Sequence, residues 1–188
     1  EIKPDFNSLK LIPYFTKVLL EGGDNNILSY SINYLNKIGF KIIDLRKLIP
    51  ENFLGFGNQT KSKVPKKCLS DIEKGKKILN RMSEFDIGQS LIIQQGNVIG
   101  IETASGTDKL IKHSHPIFTD GIKPILIKLS KVNQNLKVDL PTIGPFTVRN
   151  CCEKSINGIA YSANKTLFLN KEKIIDYCNK NNFFLYGI

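Results

Sequence analysis

One stretch restricts this chain more than any other: Asp86 to Asp108, reading DIGQSLIIQQGNVIGIETASGTD. Ser90 to Gln94 carries apolar residues on both faces, Gly96-Asn97 suits a two-residue reversal, and Val98 to Thr103 returns as a second strand. The pattern predicts a buried hairpin. Ala104-Ser105-Gly106-Thr107-Asp108 follows, with Leu110 and Ile111 at helical spacing, so Gly-Thr-Asp falls where a strand hands over to a helix. Free backbone N–H groups and a positive helix end attract phosphate at such a junction. Asp108 has two readings there, a cap for the helix or the carrier of a metal ion beside the phosphate.

A second piece, DLPTIGP from Asp139 to Pro145, repeats the logic. Val138 closes an apolar run, Pro141 suits the first turn of a helix, and Thr142 and Gly144 leave room for a ligand. Asp139 is then expected at a strand end. If the two strands are neighbours in a sheet, both junctions face one pocket, at the edge where open α/β sheets bind ligands. The carboxylates of Asp108 and Asp139 are expected to share that hollow.

A chain of 188 residues, 41% apolar and 23% charged, holds one solid core or one domain with a piece of another. It opens on Glu1 without a basic and apolar leader, so a fragment or processed form of a cytoplasmic protein is expected. No stretch is long and apolar enough to span a bilayer. Cys68, Cys151, Cys152 and Cys178 lack C-x-x-C spacing and read as reduced core thiols. His113 and His115 flank Ser114 before Pro116. They read as a solvated pair at a frayed helix end in preference to metal ligands on a strand. A formal charge of +10 favours polyanions, or reflects no more than a lysine-rich composition. Nucleic acid is not expected as the partner, because the basic residues are scattered and Lys61 to Lys67 lacks interleaved aromatics.

Taken in order, Leu9 to Leu20 has helical spacing, and a second helix is predicted from Asn26 to Ile38, then a short buried strand from Phe40 to Leu45. Pro50 to Pro65 has neither period and predicts a linker. Ser70 to Met82 reads as a helix opened by a capping box, Ser70-Asp71-Ile72-Glu73. Ile125 to Leu129 is a predicted strand, Thr142 to Lys154 a helix, and Gly158 to Tyr161 and Thr166 to Leu169 strands. Asn170 is expected to cap a helix from Lys171 to Asn179, and Phe183 to Tyr186 to close the sheet. The expected fold is α/β, a mixed sheet flanked by helices with a partial second α/β domain at the N-terminus. The expected division is residues 1–50 as that remnant, 51–65 as linker and 66–188 as the carboxy-terminal catalytic-type domain.

Asp86-Ile-Gly-Gln89, Gly96-Asn-Val, Glu102 before Gly106-Thr-Asp108, Ile127-Lys128, and Asp139-Leu-Pro-Thr-Ile-Gly144 with Thr147 together resemble one family. It is the alphaproteobacterial type of UDP-2,3-diacylglucosamine pyrophosphatase, matched over its carboxy-terminal domain from about residue 52 to Gly187 and the tail of its amino-terminal domain. The resemblance implies Mg²⁺-assisted hydrolysis of a lipid-linked UDP-sugar in lipid A biosynthesis, giving UMP and 2,3-diacylglucosamine 1-phosphate with water as nucleophile. It also implies a cytoplasmic location peripheral to the anionic inner membrane surface. Homodimerisation stays open.

The residue chemistry suits that reaction, since a pyrophosphate needs oxygen ligands for a hard cation and donors that neutralise the phosphates. Asp139 is the first candidate for metal ligand or water activation, with Glu102 as a second metal ligand and Asp108 completing the carboxylates. The Gly106 backbone and the Thr107 and Thr142 hydroxyls are candidates to hold phosphate oxygens, and Lys128 and Lys131 to supply positive charge. Gln89 either orients a ligand or ties the hairpin to a loop. The family's glycine-rich amino-terminal segment is not in this sequence, which leaves a second reading: a module that binds the phosphates without hydrolysing them.

Overall fold

A computed structural model describes Thr16, residues 24–132 and residues 134–188. The elements are α1 (Asp24–Lys37), α2 (Leu45–Leu48), β1 (Gly57–Asn58), α3 (Cys68–Met82), β2 (Ser90–Gln94), β3 (Asn97–Ile101), α4 (Thr107–His113) and β4 (Ile125–Lys128). Then come β5 (Thr142–Ile143), α5 (Pro145–Glu153), β6 (Gly158–Tyr161), β7 (Leu167–Phe168), α6 (Lys171–Lys180) and β8 (Phe184–Gly187). Short 3-10 turns cover Pro50–Asn52 and Ser83–Phe85.

Six strands form one mixed sheet in the order β1-β8-β6-β4-β2-β3, and β5 and β7 form a small parallel pair of their own. Strands β4, β6 and β8 run parallel, while β2 lies antiparallel to β4, β3 to β2, and β1 to β8. Parallel neighbours need crossovers, and α5 and α6 supply them between β4 and β6 and between β6 and β8. Successive side chains of a strand point to opposite faces, and this divides the core. Ile92, Leu126, Ile159 and Leu185 pack with Leu110 and Ile111 of α4, Val148 and Cys151 of α5, and Ile174 and Cys178 of α6. Leu91, Ile93, Ile125, Ile127 and Phe184 pack on the other face with Cys68, Ile72 and Leu79 of α3. Each such buried aliphatic stabilises by roughly 1.5–3 kcal/mol, and the result is a sheet covered on both faces.

The α/β fold with a mixed sheet is therefore as expected, and the four cysteines are free, with Cys68, Cys151 and Cys178 buried. Burial pushes the Cys68 thiol up to about 11 and that of Cys178 to about 12, which makes both unreactive. Apart from Thr16, the helix expected over Leu9 to Leu20 lies outside the described residues.

Several local expectations need correction. Phe40 to Leu45 forms no strand, and Phe40 and Ile43 are exposed; no neighbouring strand among the described residues offers them a ladder. The hairpin turns at Gln95-Gly96, with φ of 48° and 80°, one residue earlier than Gly96-Asn97. Tertiary contact sets that register: the Gly96 N–H donates to Asp71 Oδ1 at 2.7 Å and its carbonyl accepts from Lys74 Nζ at 2.6 Å, both from α3. Asp71 is thus no part of a capping box, since α3 begins at Cys68 and Ser70 Oγ donates back to the Lys67 carbonyl. The hairpin is buried on one strand only, because β3 is the sheet's edge. Pro145, not Pro141, opens helix α5. Asn170 precedes α6 with φ of 56° but makes no side-chain cap.

Residues 53–59, within the stretch expected as a linker, join the sheet. Gly57 pairs with Gly187 and Asn58 with Tyr186, Leu54 is buried, and Tyr161 Oη donates to the Gly55 carbonyl at 3.0 Å. Gly187 allows this docking: a Cβ there would stand 2.0 Å from the Gly55 carbonyl oxygen. Gly187→Ala is therefore expected to destabilise the domain by about 1–3 kcal/mol, read as a lower Tm, because backbone must move to admit the methyl. An unchanged Tm would mean that the edge is not held as described.

Candidate active site

Four residues from three elements meet where β2 begins and β4 ends. Ser90 pairs with Lys128 in the antiparallel ladder. Glu102 follows β3, and its N–H donates to the Ser90 carbonyl at 2.8 Å, which brings it back over the same edge. Gly88 makes room for the approach: it has φ of 42°, and a Cβ there would lie 2.1 Å from the Glu102 carbonyl oxygen. Thr107, the first residue of α4, completes the group.

These side chains form a relay. Lys128 Nζ donates to Thr107 Oγ1 at 2.6 Å and to Ser90 Oγ at 3.4 Å. Thr107 Oγ1 donates in turn to Glu102 Oε1 at 3.0 Å, and the Gln89 N–H donates to Glu102 Oε2 at 3.4 Å. Glu102 and Lys128 are both buried, at 7% and 5% exposure, yet make no direct ion pair. Burial lowers the Lys128 pKa below its ordinary 10.5, opposed by the charges of Glu102, then Asp108, then Asp139. A buried ammonium held, among the described residues, by two hydroxyls alone retains a strong demand for an anion.

In front of this relay lies a cleft of about 860 Å³, lined by Asp86, Gln89, Glu102, Gly106, Lys131 and Asp139, with Leu28, Ile87 and Ala104 as apolar wall. Asp139 follows the turn of 135–138, where its N–H donates to the Asn135 carbonyl at 3.0 Å, so it does not end a strand. Its Oδ2 accepts from Gln134 Nε2 at 2.6 Å, and Gln134 Oε1 accepts the Lys131 N–H at 2.9 Å. Lys131 Nζ pairs with Asp86 Oδ1 at 2.5 Å. Gln89 Oε1 is buried without a hydrogen-bond partner beside Glu102, an acceptor ready for a donor or a cation.

The structure thus gathers Asp139, Glu102, Gln89, Gly106 and Lys131 on one cleft, with Thr107 and Lys128 directly behind. It does not bring Asp108 there. Asp108 is exposed and lines a separate hollow of about 330 Å³ between α4 and α5, with Lys112, Asn150 and Glu153. The turn of the helix explains this, since consecutive residues Thr107 and Asp108 point about 100° apart, and Thr107 takes the inward place. Glu102 and Asp86 are the carboxylates that share the hollow with Asp139. Thr142 sits in β5 and donates to the Leu140 carbonyl at 3.0 Å, and Gly144 caps α5; neither lines the cleft. His113 and His115 are exposed, with their Nδ1 atoms on the carbonyls of Lys109 and His113.

Sequence reasoning passed over Ser90, Asp86 and Gln134 as site residues. Asp86 carried a signal, as a left-handed residue (φ of 55°) two positions before a left-handed glycine. Ser90 and Gln134 carried none, since their roles exist only through partners 38 and 5 residues away.

The lowered Lys128 pKa has a direct consequence for stability. Below its folded pKa the group remains charged and buried, so its unfavourable contribution is fully present; it is relieved as pH rises from that pKa towards 10.5, because the unfolded state then binds more protons. Lys128→Met is expected to raise the Tm at pH 7, by an amount that shrinks towards pH 10.5. A lower Tm at pH 7 would show instead that the ammonium stabilises the fold.

A family model described as LpxI C-terminal domain matches residues 56–186. The chain is also 26% identical over 194 residues to UDP-2,3-diacylglucosamine pyrophosphatase LpxI of Caulobacter vibrioides, an alignment that takes in all of this chain and 69% of that relative. With most of its sheet, its cleft and its length inside that match, the chain belongs to the LpxI C-terminal domain family.

Proposed function

We propose that this protein hydrolyses the pyrophosphate bond of UDP-2,3-diacylglucosamine to UMP and 2,3-diacylglucosamine 1-phosphate. The observation that carries the reading is the pairing, in one cleft, of the Glu102 and Asp139 carboxylates with a buried ammonium behind them that makes no direct ion pair among the described residues. Family membership and the name of the Caulobacter relative support a hydrolase of this class in lipid A biosynthesis.

Among the described residues no cluster of three His, Cys, Asp or Glu side chains could hold a metal alone. That fits Mg²⁺, which takes one or two carboxylates and completes its shell with water and substrate phosphate oxygens. Asp139 and Glu102 would hold it, with the orphaned Gln89 Oε1 as a third hard oxygen. When bound, the ion would neutralise phosphate charge and make a coordinated water more acidic.

The chain's own residues have distinct tasks in this reading. Gln134 fixes Asp139 through Oδ2, and no donor among the described residues holds Oδ1, which is free to take the proton of the attacking water. As the bridging P–O bond breaks, the leaving phosphate oxygen gains negative charge. Lys128 answers it from behind Thr107, and Lys131 does so from the cleft wall. The Gly106 N–H is taken by the Thr103 carbonyl at 3.0 Å and gives the substrate no donor, while the apolar wall at Leu28, Ile87 and Ala104 suits an acylated sugar. A net charge of +10 would draw the protein to anionic lipid on the cytoplasmic side of the inner membrane. No helix among the described residues is long and apolar enough to cross a membrane.

The test is UMP release from UDP-2,3-diacylglucosamine with and without Mg²⁺, in a full-length context. Asp139→Asn is expected to lower turnover by roughly 10²–10⁴-fold with little change in Tm. Nucleotide binding with no release by the unaltered protein would replace the hydrolase with a phosphate-binding module.

A further inference from the structure

Lys131 is the one cation among the described residues that lines the cleft, against the carboxylates of Asp86, Glu102 and Asp139. Lys128 stands behind Thr107, so Lys131 carries the ammonium on the open wall. That ammonium is already taken. Its Nζ donates to Asp86 Oδ1 at 2.5 Å and to the Asp86 carbonyl at 3.5 Å, and the two side chains are only 17% and 31% exposed. A charge-assisted bond partly shielded from water is stronger than a pair in the open. Asp86 and an incoming phosphate therefore demand the same group.

The two ends of this pair differ in their freedom to move. Three successive N–H groups anchor the backbone under Lys131. Leu129 donates to the Gln89 carbonyl at 2.9 Å, Ser130 to Ser162 Oγ at 3.0 Å and Lys131 to Gln134 Oε1 at 2.9 Å. The four-carbon arm can still rotate, and its rotation leaves the Gln134 bridge to Asp139 in place. Asp86 is a short arm on a fixed turn: it closes the 3-10 turn Ser83–Phe85, with φ of 55° and its N–H on the Ser83 carbonyl at 3.3 Å. Glycine or asparagine adopts that left-handed conformation as readily, so the turn itself makes no demand for a charge.

We propose that Asp86 is a positioning residue that competes with phosphate for Lys131. In the free protein it holds the ammonium against the cleft wall. A phosphate draws Lys131 Nζ away, and Asp86 takes it back as the phosphate leaves. Resting on the hydrolase reading, this contact favours product release. Each product is a phosphomonoester, more negative than the pyrophosphate phosphorus it came from, and an uncontested ammonium would retain it.

Isothermal titration of the intact chain with inorganic phosphate tests this in a double-variant cycle. Asp86→Asn keeps the shape and suits the left-handed turn, so removal of the competitor is expected to tighten phosphate by about threefold to tenfold. A residue that served only the fold would weaken binding when replaced. In a Lys131→Met background the same substitution is expected to change affinity by less than about twofold. An equal gain in that background would mean that Asp86 merely repels the anion, and would overturn the inference. So would unchanged or weaker binding in Asp86→Asn, the same gain in Glu84→Gln, which removes a neighbouring exposed charge, or no phosphate binding by any variant. UMP release from UDP-2,3-diacylglucosamine separates the two readings. Turnover without tighter phosphate in Asp86→Asn would remove the competitor and leave the hydrolase. Tightening through Lys131 without turnover would remove the hydrolase and leave the competitor.

Discussion

An ammonium group buried at the end of a central strand is the constraint around which this site is built. Lys128 follows Ile125, Leu126 and Ile127 in β4, where helices cover both faces of the sheet, so its head cannot reach bulk water along either face. It must be satisfied where it stands. Thr107 does this with a single oxygen, accepting from Lys128 and passing its own hydrogen to Glu102. A valine of the same shape could do neither. The hydroxyl therefore couples the start of α4, the end of β4 and the residue after β3.

That coupling decides which carboxylate faces the cleft. Glu102 is held through both oxygens, by Thr107 and by the Gln89 N–H, and Gly88 lets the two backbone segments approach. Asp139 is held more loosely, through Gln134 alone among the described residues, on a loop outside the sheet. One carboxylate is rigid and shielded, the other retains a free oxygen. Such a difference suits two roles, a fixed electrostatic post and a proton acceptor.

The strands were legible in the sequence because apolar residues of β2, β4, β6 and β8 form short unbroken runs, the mark of strands covered on both faces. The strand-to-helix step at Gly106-Thr107 was legible through its glycine and helical spacing. What failed depended on contacts between distant segments. The reversal moved to Gln95-Gly96 because α3 grips Gly96, and the apparent capping box dissolved because Asp71 is the residue that does so. Asp139 and Glu102 line one cleft and Asp108 another hollow, since spacing alone does not tell which of two adjacent helix residues turns inward. Gln134, which sets the Asp139 carboxylate, and Ser90, which shares the ammonium, had no local pattern to betray them.

The central claim is that Lys128, without a direct ion pair among the described residues, waits for a phosphate. NMR titration of the protein with ¹³C-labelled lysine side chains, assigned by comparison with Lys128→Arg, follows that one group directly. This account predicts a Lys128 resonance that titrates below the ordinary 10.5 in the free protein and moves upward when UMP or inorganic phosphate is added. A Lys128 that titrates as an exposed lysine does, and ignores phosphate, would contradict it.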